Sequence, residues 1–440
     1  MKFYRQEAQE RPSYIPALAD TPGMRFLEMA ARLMLRYNMR SELLRRRLSR
    51  TAERLGLDVA VFVNYRSVTL FTAAGWHVHV QVHELKINVA VSTLAIQTVD
   101  AFCEGKLTLE EATELLGSAE RERGHSRWVM ALIFGVAAAA LAWLLHADWG
   151  AMAVSGVSSA VGVLVRQDLA KRHVTLFALP FCAAFIGSVF GGFAITMGWT
   201  DTPGYCLMVP ALMLVPGPHL INGLYDILEN HIQTGLARLG LAVGILTSAA
   251  IGTFVGGWLT LKTTTVSAVP SDVMPFNLGI DVLLAGVASC GFGAFYNTPW
   301  RVLWISIVTG MIGHGIRYIG MEHGASQEIA TLFACFAIGG LCNIAIERWR
   351  LPFAAVAFAG AVPMMPGVSI YQGIAKAMEL SKIGVGAEPE LVVVMLALFA
   401  KACFVVGAMG LGLLLGARLS RMAGGYLTQL VERFSRAAQG

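Results

Sequence analysis

The 440-residue sequence is 55% hydrophobic and only 14% charged, against about 25% charged in an ordinary soluble chain. Residues 1–127 hold 18 Lys and Arg and 15 Asp and Glu, more than half of all formal charges. This pattern excludes a single soluble domain, and a net charge of +5 spread along the chain gives no footing for nucleic acid.

The opening residues, Met1-Lys2-Phe3-Tyr4-Arg5-Gln6-Glu7, lack the apolar core of an export signal, so residues 1–127 are expected in the cytoplasm. Residues 1–23, with Pro12, Pro16 and Pro22, read as a mobile tail. Residues 24–55 predict one basic amphipathic helix, with Phe26, Met29, Leu33, Tyr37 and Leu44 near helical spacing. Its Arg45-Arg46-Arg47 run suits either anionic headgroups or a solvated face. Residues 59–63, 67–72 and 76–82 are strand-like and β-branched. In the third run His77, His79 and Gln81 alternate with Val78, Val80 and Val82, and His83 follows. One strand spreads its imidazoles too far apart for a shared metal, so a solvent-facing edge is expected. Thr108-Leu109-Glu110-Glu111 is a capping box that opens a helix. The seven cysteines are scattered and suit apolar filler, not a disulfide or metal framework. No metal or cofactor is expected.

From residue 128 the chain is a series of apolar segments near 128–146, 150–165, 174–197, 205–228, 236–261, 278–296, 300–319, 327–346, 353–376 and 391–416. Most approach the ~20 residues that cross a bilayer; the second is short. Basic residues Arg166, Lys171, Arg172, Arg238, Arg301, Arg348 and Arg350 mark loops on one side. The opposite loops carry Lys262, Arg317, Lys376 and Lys382. That bias places both termini in the cytoplasm.

Spans four and nine share a motif. Pro216-Gly217-Pro218-His219-Leu220-Ile221-Asn222-Gly223 recurs 150 residues on as Pro366-Gly367-Val368-Ser369-Ile370-Tyr371-Gln372-Gly373. Each lies in the fourth span of a group of five, and because five is odd the second group crosses in the opposite sense. The fold class is therefore an α-helical polytopic membrane protein. About ten transmembrane helices form two inverted five-helix repeats, 128–262 and 277–417, between a cytoplasmic α/β domain (1–127) and a cytoplasmic C-terminal tail (418–440).

Proline removes an amide and glycine frees the backbone, so both helices should break at Pro-Gly. Irregular backbone at membrane depth is tolerated where it lines a cavity, and the half-helix starting there presents a positive end to an anionic guest. Pro216, Gly217, His219, Asn222, Pro366, Gly367, Ser369 and Gln372 are the candidate substrate-binding residues. Gly223 and Gly373 close the motifs, and Arg238 is a topology charge. Asp226 continues the polar face of span four and is the first candidate for proton coupling; Glu229, Lys376 and Glu379 suit the interface. His314 in span seven and Lys401 in span ten suit a proton relay, or respectively a helix–helix hydrogen bond and a snorkelling cation. Asp281 suits an interfacial role, and Gly252-x-x-x-Gly256 and Gly412-x-x-x-Gly416 suit close helix packing.

Leu214-Val215-Pro216-Gly217, followed by Asp226 and then Gly235-Leu236-Ala237-Arg238-Leu239, resembles the signature of the bacterial threonine/serine exporter family. Residues 55–63 and 105–112 resemble its N-terminal part; residues 291–299 and Pro363-Met364-Met365-Pro366-Gly367 resemble its smaller partner domain. The resemblance implies a fused, multi-pass protein of the bacterial inner membrane. It implies export of threonine and serine in exchange for protons, an antiporter powered by the proton gradient. The expected partners are the amino acid, protons and the lipid bilayer, with a homo-oligomer also compatible. Alternatives are an exporter of another small organic anion or amino acid, a passive pore, and a membrane-embedded hydrolase. The last lacks HExxH, GxSxG and GxGD motifs.

Overall fold

The computed structural model describes residues 21–261 and 277–437 other than 74, 123 and 173, with side chains as far as 423. Of the expected tail 1–23, residues 1–20 lie outside the described residues, as does Lys262, whereas Pro22 and Gly23 already belong to a helix. The chain forms two units: residues up to Arg123 with Asp226–Gly235, and residues Gly124–Tyr225 with Leu236–Gly440.

In the first unit, α1 (Pro22–Arg36) starts where Thr21 accepts from the Met24 amide and Pro22 takes a position that needs no donor. Residues 24–55 form two helices where one was expected. Asn38 adopts a left-handed conformation at φ 62°, and α2 (Ser41–Arg54) begins three residues later. Strands β1 (Val59–Val63), β2 (Ser67–Thr72) and β3 (His77–Gln81) form an antiparallel meander in the order β1-β2-β3. Helices α3 (Val89–Cys103) and α4 (Leu109–Ala119) complete the unit, the latter opened by the capping box at Thr108. Phe26, Leu27, Leu44, Leu48, Val68, Leu70, Val80 and Leu116 form one core. The rings of Phe26 and Phe102 pack at a tilt of 58° with centroids 4.9 Å apart. The β3 imidazoles of His77 and His79 are exposed while Val80 is buried. Among the described residues no three metal-ligating side chains converge.

In the second unit the helices are α5 (Arg127–Leu144), α6 (Trp149–Lys171), α7 (Ala178–Thr196), α8 (Pro203–Leu212), α9 (Gly217–Leu228) and α10 (Ile232–Leu261). After the undescribed stretch come α11 (Leu278–Phe295), α12 (Trp300–Glu322), α13 (Gln327–Trp349), α14 (Phe353–Ala361), α15 (Gly367–Ile383) and α16 (Pro389–Ala437). Eight of these are long and apolar enough to cross a membrane, or ten spans if each bent pair counts as one. The bent pairs are α8 with α9, at 59°, and α14 (with the turn Val362–Met364) with α15, at 72°. The short second span becomes a 23-residue helix, because α6 continues through Arg166, Gln167 and Asp168. Arg127 satisfies that polar end through Asp168, 2.9 Å away. Arg166, Arg238 and Arg317, expected in or beside loops, sit inside α6, α10 and α12.

Several contacts recur 151 to 160 residues apart. Gly135 of α5 packs on Gly156 and Ala160 of α6, and Gly286 of α11 packs on Ile307 and Met311 of α12. Gly252 and Gly256 lay α10 against the carbonyls of Phe181 and Phe185, and Gly412 and Gly416 lay α16 against those of Leu332 and Phe336. His146 and Asn297, after α5 and α11, are both left-handed at φ 67° and 56°. The two sets also meet each other: Phe134 of α5 stacks on Phe295 of α11 at 4.8 Å.

Candidate functional site

At both breaks the chain turns in the same way. The Gly217 amide donates to the Val215 carbonyl at 2.9 Å, and the Gly367 amide donates to Met365 at 2.7 Å. These two glycine amides, expected to be open to an anion, are therefore occupied. At the first break His219 and Leu220 donate to Pro216 and Pro218 has no amide, so few donors remain. The second break has Val368 where the first has Pro218, and its first-turn amides at Val368 and Ser369 have no intrahelical acceptor.

The breaks also pack crosswise. A β-carbon on Gly217 would strike the ring of Phe358 in α14, and one on Gly367 would strike Leu212 in α8. Each glycine lies against the half-helix that precedes the other break. Of the candidate side chains, His219, Asn222 and Ser369 are buried and Gln372 is half-buried. His219 Nδ1 has no hydrogen-bond partner among the described residues.

Asp226 is fully buried, but within the first unit. It accepts the Ser41 amide at 2.9 Å and the Ser41 hydroxyl at 3.1 Å, placing a carboxylate on the open amides of α2. Glu229 pairs with Arg40 at 3.4 Å, and His231 reaches Glu42 at 3.4 Å. Hydrogen bonds from Arg45, reinforced by Arg46, hold the Glu42 carboxyl down to about 2 against the opposing effect of burial. Lys376 pairs with Glu379 at 2.9 Å.

His314 does have a partner. Its Nδ1 meets the carboxylate of Asp281, and both side chains are buried. The pair borders a cavity lined also by Leu144, Arg317, Pro366, Val368 and Ser369. The second break and the buried His–Asp pair thus share one space.

Two family models match the chain. Residues 25–260 match one threonine/serine exporter model and residues 281–418 match a second, ThrE. The chain belongs to the threonine/serine exporter family. It carries both parts of the exporter in one polypeptide and is a membrane transporter. No solved structure matches it.

Within this exporter, Arg317 and Arg166 look like loop charges in the sequence but lie in α12 and α6. A signal was present. Trp149, Ser155, Gly162 and Arg166 recur as Trp300, Ser306, Gly313 and Arg317 at a constant offset of 151 residues.

Proposed function

We propose that the protein exports threonine and serine in exchange for protons, by alternating access around the two helices broken at Pro-Gly. The observation that carries this reading is the crosswise packing of the breaks, Gly217 on Phe358 and Gly367 on Leu212. A movement at one break must be felt by the half-helix leading into the other. The recurring contacts support two five-helix repeats, and an odd number of spans gives them opposite senses. The surplus of base at one set of helix ends (Lys171, Arg172, Arg301, Arg348 and Arg350) supports both termini in the cytoplasm and placement in the bacterial inner membrane.

For proton coupling the Asp281–His314 pair is the better seat than Asp226. A buried carboxylate and imidazole beside a cavity can exchange a proton with whatever occupies it. The carboxylate of Asp226 is engaged by Ser41.

The test is counterflow in proteoliposomes loaded with threonine, serine, other amino acids or simple carboxylates. Accumulation of labelled threonine against its gradient is expected of the carrier. Equilibration without accumulation would indicate a pore, and flux of carboxylates alone would indicate another substrate class. An imposed pH gradient should then drive threonine in the direction opposite to protons.

A further inference from the structure

Arg317 lies in a membrane-length helix, where an uncompensated guanidinium is costly and usually marks a ligand or ion path. Among the described residues it makes no ion pair or hydrogen bond, and its Nε is buried without a partner. It lines the cavity at the second break together with Asp281, His314 and Ser369. His314, itself buried, also has an unpartnered ring nitrogen, Nε2. Val368 and Ser369, whose first-turn amides have no intrahelical acceptor, line the same cavity.

These groups form two poles. Arg317 and the start of α15 are donors that ask for an anion. Asp281 is a carboxylate whose hydrogen-bond partner is one imidazole nitrogen and whose charge also acts on Arg317 without an ion pair, leaving it room for a cationic guest. A guest with a carboxylate and an ammonium on one carbon would meet both poles, and a hydroxyl beside them would meet Ser369. A plain dicarboxylate would set its second charge against Asp281.

We propose that Arg317 is the carboxylate anchor for the transported amino acid, opposite an ammonium position at Asp281, an inference that rests on the transport reading above. Arg166 is its counterpart in the first half. It occupies the equivalent position of α6, with its guanidinium 4.7 Å from the Phe295 ring, and no carboxylate pairs with it among the described residues. Leu144, which lines the cavity with Arg317, and Phe295, which lies beside Arg166, are themselves 151 residues apart.

The experiment measures equilibrium binding of L-threonine and of L-threoninamide, which lacks the carboxylate, to the purified full-length protein. Wild type is expected to bind threonine at least about tenfold more tightly than the amide, as for a charge-assisted pair. R317Q should weaken threonine binding about tenfold to a hundredfold and leave the amide unchanged. If R317Q does not fold, R317K, which keeps the charge but not the two-pronged donor, should still narrow the preference for threonine over the amide. Wild-type threonine affinity in a folded variant, equal losses for both probes, or no threonine binding by wild type would each overturn the anchor. Carboxylate-dependent binding without counterflow would instead sink the transport reading and leave the anchor standing.

Discussion

Replacing Gly217 by alanine places a methyl group where Cδ1, Cε1 and Cζ of the Phe358 ring now lie. The ring cannot swing into open space. Phe358 is 1% exposed, and its neighbours Phe292 and Tyr296, with centroids 6.3 and 6.4 Å away, are buried too. Overpacking of this kind costs about 1–3 kcal/mol. Gly367 differs, because its obstruction is the far end of Leu212, a flexible and half-buried side chain. Gly367→Ala should therefore cost less, below about 1.5 kcal/mol. Combining Gly217→Ala with Phe358→Leu should recover part of the loss, with a coupling of about 0.5–3 kcal/mol for residues in direct contact. Thermal unfolding in detergent and threonine counterflow rates are measured for the four proteins of this cycle and for Gly367→Ala. If the two substitutions are additive, or Gly367→Ala is the more damaging, the crosswise packing is not what constrains the breaks.

Three further outcomes are expected. Asp226→Asn should lower thermal stability, by about 1–2 kcal/mol for a weakened charged hydrogen bond to Ser41, while pH-driven threonine exchange persists; loss of coupling with unchanged stability would return the proton to Asp226. His314→Gln should keep threonine counterflow but abolish its response to a pH gradient, and a variant still driven by that gradient would exclude the Asp281–His314 pair. Glu42→Gln should lower the melting temperature at pH 7, because a carboxyl held down to about 2 stabilises the fold above its ordinary value of 4.5. That difference should disappear as pH falls from about 4.5 to about 2, and a difference constant across that range would refute the Arg45–Glu42 explanation.

Much of the architecture follows from local chemistry that one sequence displays. Apolar length places the spans, and Pro-Gly breaks two of them because an absent amide cannot join the helix ladder. The capping box at Thr108 and the alternation in β3 are equally local, involving residues two or three positions apart. Helix ends were less legible. The Arg166 and Arg317 segments resemble loops by composition, yet helix continues where packing and a partner such as Arg127 accommodate polar groups.

The chemistry of the site depended on long-range pairing, which no local pattern encodes. Asp226 follows the polar stripe of span four by spacing, but its partner Ser41 lies 185 residues away. The Gly217 and Gly367 amides are free on a helical diagram and occupied once the chain turns back on Val215 and Met365. Asp281, His314, Arg317 and Ser369 border one cavity only because residues of α11, α12 and the start of α15 converge there. By itself the sequence determined which segments are membrane-length helices and that two of them break at Pro-Gly. Tertiary structure decided which buried charges are neutralised and which face open space, because desolvation and pairing depend on neighbours brought in from distant parts of the chain.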